Sequence, residues 1–264
     1  MNKTTEEKLA GSLTAETTEL LPFLPYLLQD FWELGSDPGT MVELMKKHAG
    51  APANATVLDL ACGKGAVSVR VAQNLQARVK GVDLIPEFVR FAAQKAREHG
   101  VADLCDFAVG DINEAVATEK NYDIVIFGAA GSVLGDPAET LRKLKQTVKT
   151  SGHILIDESY LKDDGRPEDI RYDYYEYLTE KQWAALFAKS GLELVGTVSA
   201  ADLESPENLD SVSGMAAITK RANELIERHP DKRAMFEGYI RSQQNEYDDI
   251  DNSLEGAVWI LRKL

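Results

Sequence analysis

The stretch VLDLACGKGAVSV, residues 57–69, joins two apolar segments through a short turn of small residues. Residues 56–60 have the composition of a buried strand, and the apolar spacing over residues 66–76 predicts a helix. Gly63 and Gly65 allow the chain to turn sharply from this strand into this helix. Because glycines lack Cβ atoms, a ligand can also approach the backbone closely. The stretch therefore predicts a ligand-binding turn at the carboxyl end of a buried strand.

The order of the remaining segments predicts the fold class. From residue 55 onward, short β-rich runs alternate with longer helical patterns, as is typical of a parallel sheet flanked by helices. The last ten residues form a strand that can return antiparallel beside the sixth. We expect an α/β fold with a doubly wound, seven-stranded sheet whose last strand is antiparallel. The expected strands are 56–60, 79–83, 106–109, 122–127, 153–157, 193–199 and 255–264.

Two regions lie outside this alternation. Residues 1–50 are predicted to form an N-terminal helical lid, ending in a helix that begins at Asp37-Pro38 and stops at Gly50. The main domain spans residues 51–264 and carries a helical insertion, residues 202–252, between strands six and seven. Each region is a candidate lid or partner surface, and the alternative is surface decoration or a homodimer contact.

Composition limits the function classes. The formal net charge is −14, with 29 Lys and Arg against 43 Asp and Glu, which disfavours nucleic acid as a partner. Two cysteines are too few for a disulfide framework. The polar N-terminus lacks the apolar core of a signal peptide, and no window reaches the roughly 18 apolar residues of a membrane span. We therefore expect no membrane partner and a cytoplasmic location.

The residues around the glycine turn indicate the ligand. The third glycine of a dinucleotide fingerprint is replaced by Ser68, so a nicotinamide cofactor is disfavoured. Asp59 precedes the turn, where a carboxylate would repel a pyrophosphate but accept hydrogen bonds from an ammonium group. The expected ligand is small and carries an amino group.

VLDLACGKG resembles motif I of class I S-adenosylmethionine-dependent methyltransferases. Three later segments are similar to further motifs of that family and follow in the same order: VKGVDLIPEF, FAVGDINEA and YDIVIFGAAGSVL. The resemblance covers roughly residues 54–160 and, in layout, the sheet as far as residue 264. It implies a Rossmann-like fold, S-adenosylmethionine as cofactor and methyl transfer to a small-molecule acceptor. The alternative is a non-catalytic, S-adenosylmethionine-binding regulatory protein.

The resemblance also implies which residues hold the cofactor. Asp83 would bind the ribose hydroxyls, Asp111 would lie near the exocyclic amine of adenine, and Ile112 would lie against the adenine ring. Trp32 lies on a segment that similar enzymes fold over the cofactor, with packing between helices as the alternative. The full set is Asp59, Ala61, Gly63, Gly65, Asp83, Leu84, Gly110, Asp111, Ile112, Phe127 and Trp32.

The family places the acceptor above the ends of strands four and five. Glu158 is the candidate carboxylate there, as a base or as a partner for a cationic acceptor; a helix cap or a solvated loop acid is the alternative. Tyr160, Tyr174 and Tyr175 are candidates for one wall of the site, although the tyrosine-rich run could equally be a surface strand. We expect no metal, because the acids near residue 160 lack the spread of ligands that a site requires.

Overall fold

The computed structural model describes residues 4–50, 54–162, 167–171, 176–199, 202 and 211–264. Its centre is a seven-stranded sheet in the order β3-β2-β1-β4-β5-β7-β6. β7 runs antiparallel to both β5 and β6, and the other described pairings are parallel. The predicted fold class is confirmed. The strands are β1 Thr56–Leu60, β2 Arg78–Asp83, β3 Cys105–Val109, β4 Tyr122–Gly128, β5 Val148–Leu161, β6 Leu192–Ser199 and β7 Leu254–Lys263.

Ten α-helices accompany these strands in the described part of the chain. They are α1 Thr5–Ser12, α2 Leu24–Leu27, α3 Pro38–Leu44, α4 Ala66–Leu75, α5 Pro86–Glu98, α6 Ile112–Thr118, α7 Pro137–Thr147, α8 Glu180–Lys189, α9 Ser211–Arg228 and α10 Arg233–Asn252. The start predicted at Asp37-Pro38 is confirmed, since the Asp37 carboxylate accepts a hydrogen bond from the Thr40 amide at 2.6 Å. A π-helical turn, Met45–Ala49, continues α3 to Gly50, whose φ of +51° ends it.

β5 is longer at both ends than the predicted 153–157. Its pairing with β4 ends at Gly128 opposite Asp157, whereas its pairing with β7 continues to Leu161 opposite Leu254. The two strands therefore extend as a ribbon beyond the carboxyl edge of β4. Glu158 and Tyr160 lie on this ribbon, within a strand.

The helices outside the sheet layers share a core of their own. Buried side chains of α1, α2 and the segment between them pack against α9 and α10, with Phe88 of α5 beneath them. We call residues 4–31 together with α9 and α10 the helical cap. α3 and the π-helical turn instead pack against the sheet, where Met41 and Met45 join the core formed with β1, β4 and α4. The first fifty residues therefore contribute to two different layers.

Candidate cofactor and acceptor site

A pocket lies at the carboxyl ends of β1 and β4, beneath the helical cap. Open α/β sheets bind ligands in this crevice. α1, the segment after α2, the glycine turn and the start of α5 surround it. The lining residues are Leu9, Ser12, Leu13, Trp32, Leu34, Ser36, Asp59, Ala61, Cys62, Gly63, Lys64, Ala66, Val67, Asp83, Ile85, Phe88, Ile126, Gly128, Ala129 and Ala130.

The glycine turn needs its glycines for different reasons. A Cβ on Gly65 would stand 2.6 Å from the Ala92 Cβ, so this glycine lets α5 pack against the turn. A Cβ on Gly63 would meet only the Leu34 side chain, at 3.4 Å. The φ of Gly63 is +52°, and its exposed face lines the pocket. Ala61 also has a positive φ, of 59°, so the turn is held in a conformation that leaves its backbone open to a ligand.

Asp83 supports this turn from the end of β2. One carboxylate oxygen accepts a hydrogen bond from the Gly63 amide and the other from the Ile85 amide, each at 2.9 Å. Burial raises the pKa of Asp83, and the main-chain donors act in the opposite direction. Each oxygen keeps a lone pair for a further donor, which suits a pair of hydroxyl groups.

Asp59 has a partner that the sequence analysis did not anticipate. The Ser68 hydroxyl, on α4, donates to the Asp59 carboxylate at 2.5 Å. Both residues are buried, and burial raises the pKa of Asp59 to about 7. Ser68, which replaces the third glycine of a dinucleotide fingerprint, therefore orients the Asp59 carboxylate in the lining of the pocket.

The segment predicted to bind adenine is in contact with α1. The Asp111 carboxylate caps α6 by accepting from the Asn113 amide at 2.8 Å, and it also accepts from the Thr5 hydroxyl at 2.8 Å. The Gly110 amide donates to the Asp83 carbonyl at 2.9 Å. Thr5 belongs to the cap, so the cap is hydrogen-bonded to this edge of the sheet.

The structure brings some predicted cofactor residues to one pocket and leaves others outside its lining. Asp59, Ala61, Gly63, Asp83 and Trp32 line it together. The side chains of Ile112 and Phe127 are buried in the core on one face of the sheet. The predicted residues that do not line the pocket are Gly65, Leu84, Gly110, Asp111, Ile112 and Phe127.

Trp32 and Lys64 connect the segment after α2 to the glycine turn. The Trp32 indole N–H donates to the Lys64 carbonyl at 3.1 Å, and the ring stacks on His99 with 4.9 Å between centroids. The Lys64 ammonium donates to the carbonyls of Leu28 and Phe31 at 2.5 and 2.6 Å. Burial lowers the pKa of Lys64 to about 8. A lysine within a turn of small residues was the available signal for this contact.

Two further polar groups at this end of the sheet were also missed. The Ser36 side chain lines the pocket, and its buried hydroxyl lies beside the Asp157 carboxyl without a well-aligned hydrogen bond among the described residues. A Cβ on Gly128 would stand 2.3 Å from that hydroxyl, so the glycine makes room for it. Asp157 lies opposite Gly128, and burial raises its pKa to about 6 while Ser36 lowers it.

Two of the predicted acceptor-binding residues, Glu158 and Tyr160, do not line the pocket. Glu158 and Tyr160 lie on the β5–β7 ribbon, where the Tyr160 ring is 6.1 Å from the Trp259 ring. Tyr174 and Tyr175 lie outside the described residues. In the described ranges, no three His, Cys, Asp or Glu side chains are grouped so that they could hold a metal ion. No described helix is both long and apolar enough to cross a membrane.

Sequence comparison identifies relatives with one kind of activity. A sequence model of the methyltransferase domain matches residues 52–200. A demethylmenaquinone methyltransferase from Lactiplantibacillus plantarum is 26% identical over 170 residues, covering 54% of this chain and 72% of that protein. A phosphoethanolamine N-methyltransferase from Triticum aestivum is 22% identical over 196 residues, covering 74% of this chain but only 36% of the relative. The chain thus spans about a third of the second relative's length.

Solved structures share the fold over nearly the whole chain. A SAM-dependent methyltransferase from Thiobacillus denitrificans, in complex with S-adenosylhomocysteine, has a TM-score of 0.74 at 21% identity, covering 92% of this chain and 98% of that one. The [4+2]-cyclase SpnF has a TM-score of 0.69 at 16% identity, covering 99% and 97%. The pocket suits S-adenosylmethionine, since Asp59 can accept from its ammonium group, Asp83 can accept from its hydroxyl groups and Gly63 leaves space for it.

Proposed function

The chain belongs to the methyltransferase domain family and is an S-adenosylmethionine-dependent methyltransferase, and we propose that its acceptor is a small molecule held beneath the helical cap. The cofactor supplies a methyl group on a sulfonium sulfur, so the protein's tasks are to align the acceptor with that methyl and to exclude water.

The cap over the pocket is the observation that carries this proposal. α1 contributes Leu9 and Ser12 to the lining, and its C-cap residue Leu13 lines the pocket as well. The Lys64 ammonium donates hydrogen bonds to carbonyls of the segment after α2. The Thr5 hydroxyl of α1 donates a hydrogen bond to the Asp111 carboxylate. An acceptor must fit under these elements, and this favours a compact molecule over a folded macromolecule.

Charge and the relatives agree with this proposal. The net charge of −14 repels nucleic acid. The names of several relatives refer to small molecules, among them demethylmenaquinone and phosphoethanolamine. Those acceptors differ in chemistry, and a further relative is named for a ribosomal protein, so the names leave the acceptor atom open.

For the cofactor, we assign roles to the residues that line the pocket. Asp83 accepts hydrogen bonds from the ribose hydroxyls while it continues to support Gly63 and Ile85. Asp59, oriented by Ser68, faces the ammonium group. We also assign Asp111, Ile112 and Leu84, which lie outside the pocket lining, to the adenine end of the cofactor site.

The test uses S-adenosylmethionine with a labelled methyl group and an extract separated into small molecules, protein and nucleic acid. We expect label in the small-molecule fraction. Label found only in protein or nucleic acid would contradict the proposed acceptor class. Binding of S-adenosylhomocysteine without transfer to any fraction would favour the regulatory alternative.

A further inference from the structure

One face of α10 presents polar side chains to the interior. Tyr239, Gln243 and Glu246 are four and three residues apart, so they lie along one side of the helix. Tyr239 and Gln243 are buried, and Glu246 is partly buried. Buried faces of helices are normally apolar, so this face needs an explanation.

The Tyr239 hydroxyl makes no well-aligned hydrogen bond within the described ranges, although the residue is only 1% exposed. The Tyr239 hydroxyl faces the Thr14 hydroxyl, which also accepts from the Gln243 side-chain amide and donates to the Leu13 carbonyl at 2.8 Å. Native proteins rarely leave a buried hydroxyl unpaired. The Tyr239 hydroxyl therefore keeps hydrogen-bonding capacity that a ligand could use.

Glu246 is a second group without a partner. It makes no hydrogen bond or ion pair with any part of the chain that the structure describes. Burial raises its pKa to about 7, and the nearby charges of Glu158 and Asp249 raise it further. The Glu246 charge also contributes to the raised pKa of Tyr239 and of Tyr247, so the carboxylate and both phenols face one region.

This region adjoins the cofactor pocket. Thr14 follows Leu13, which lines the pocket. Glu158 follows Asp157, whose partner in β4 is the pocket residue Gly128. We call Tyr239, Glu246 and Tyr247 the α10 polar face; it lies between the N-terminal helices and the β5–β7 ribbon.

We propose that the acceptor is an amine, whose ammonium group is bound by Glu246 with Glu158 nearby and by the aromatic groups of the α10 polar face. This inference rests on the proposed function. A cation is the ligand that two neighbouring carboxylates favour, and phenol rings add favourable contacts with it. An anionic acceptor would be repelled, and a neutral alcohol would leave the Glu246 charge unpaired.

The chain's part in the reaction is a proton transfer. Glu246 accepts one proton from the ammonium group, which leaves a neutral amine with a lone pair on nitrogen. As the new N–C bond forms, the C–S bond breaks and its electron pair stays on sulfur. The product is a methylated ammonium ion and a neutral thioether, and the proton on Glu246 later leaves to solvent.

A binding experiment tests this inference without turnover. Benzylamine and benzyl alcohol have similar shapes but differ in charge, so each is added to the complex with S-adenosylhomocysteine, and thermal stability is measured. We expect only benzylamine to stabilise the wild type, and Glu246→Gln to lose that response. Glu237→Gln, on the same helix but ion-paired with Arg233, is the control and should respond as the wild type does. Equal responses to both probes, or none, would overturn the proposal.

An activity experiment separates this inference from the proposed function. Panels of amines, phenols, thiols and carbon acids are offered with labelled S-adenosylmethionine. We expect methyl transfer to amines. The rate should fall about 10- to 100-fold in Glu246→Gln and by a smaller factor in Tyr239→Phe. Transfer to another class with none to amines would overturn the inference and leave the small-molecule acceptor standing. Transfer to no class would count against the proposed function, and the binding experiment would still decide the amine site.

Discussion

We expect the protonation of Asp59 to couple cofactor binding to pH. Burial raises the pKa of this carboxyl to about 7 from an ordinary 3.8, so the folded protein holds the proton more tightly than the unfolded chain. The stability from this group is fully present below the unfolded pKa and is lost as pH rises through the folded pKa. A cationic ligand has the opposite preference, because it favours the ionised carboxylate.

We therefore predict that affinity for S-adenosylhomocysteine rises with pH up to about 7, by at most about tenfold per pH unit. Proton release on binding at pH 6, measured by calorimetry in buffers of different ionisation enthalpy, checks this expectation. In Asp59→Asn the release should disappear. The same release in that variant would assign the coupling to another group.

Asp83 should contribute directly to affinity. Asp83→Asn keeps the size of the side chain but removes the charge that strengthens hydrogen bonds from two hydroxyls. We predict a loss of ~1.5–3 kcal/mol in binding of S-adenosylhomocysteine. Asp106→Asn, at an exposed position on the neighbouring strand, is the control. Unchanged affinity in Asp83→Asn, measured by calorimetry, would remove this residue from the site.

Some residues at the site could be found from sequence and others could not. Asp59, Gly63 and Asp83 stand at strand ends, where topology alone makes them converge. Ser36 and Asp157 meet because the segment before α3 crosses the end of β4, close enough that Gly128 has no room for a Cβ. That approach depends on the packing of the whole chain and leaves no local pattern.

At the scale of elements, Lys64 holds the segment after α2 against the glycine turn by hydrogen bonds. Its ammonium bonds two carbonyls, of Leu28 and Phe31, just beyond the carboxyl end of α2, where the helix dipole favours a cation. These hydrogen bonds connect the glycine turn directly to the helical cap, so we expect the two to move together.

We predict that Lys64→Met lowers affinity for S-adenosylhomocysteine by about 1–2 kcal/mol and speeds amide hydrogen exchange in residues 24–34. Lys95→Met is a matched control, since Lys95 also lies over the Trp32 ring but is ion-paired with Glu98. Equal exchange in the wild type and Lys64→Met would reduce Lys64 to a packing role.

Elements were predictable where the pattern was local. The doubly wound sheet follows from alternating β-rich and helical segments, and Asp37-Pro38 and Gly50 marked the ends of a helical segment through local backbone chemistry. The extension of β5 was not predictable, because residues 158–161 are held by pairing with β7, almost a hundred residues later. The role of Asp111 as the N-cap of α6 was not predicted, because Asp111 was interpreted only as a ligand contact.

At the scale of the whole molecule, the N-terminal helices and the insertion act as one structure. The sequence suggested two separate candidate lids, because nothing in either segment identifies the other as its partner. In the structure their apolar faces meet: Phe23 packs edge-on against Phe236 with 5.1 Å between ring centroids, and Tyr26 donates a hydrogen bond to Glu224 at 2.5 Å. The cap therefore has its own core, distinct from the two cores of the sheet.

This architecture predicts that the cap opens and closes as a unit. Phe236 is fully buried in the cap core, so Phe236→Ala should cost about 3–5 kcal/mol of stability there, and should speed amide exchange in residues 4–31 and 211–252 together. Phe187→Ala, in the core of the sheet, should instead act on the sheet. Because the cap covers the pocket, S-adenosylhomocysteine should slow exchange in both cap segments of the wild type. If the ligand slowed amide exchange in residues 4–31 but not in α9 and α10, the prediction would be wrong, because these two parts of the cap would then move independently. The α10 polar face would in that case stay in place while the pocket opens.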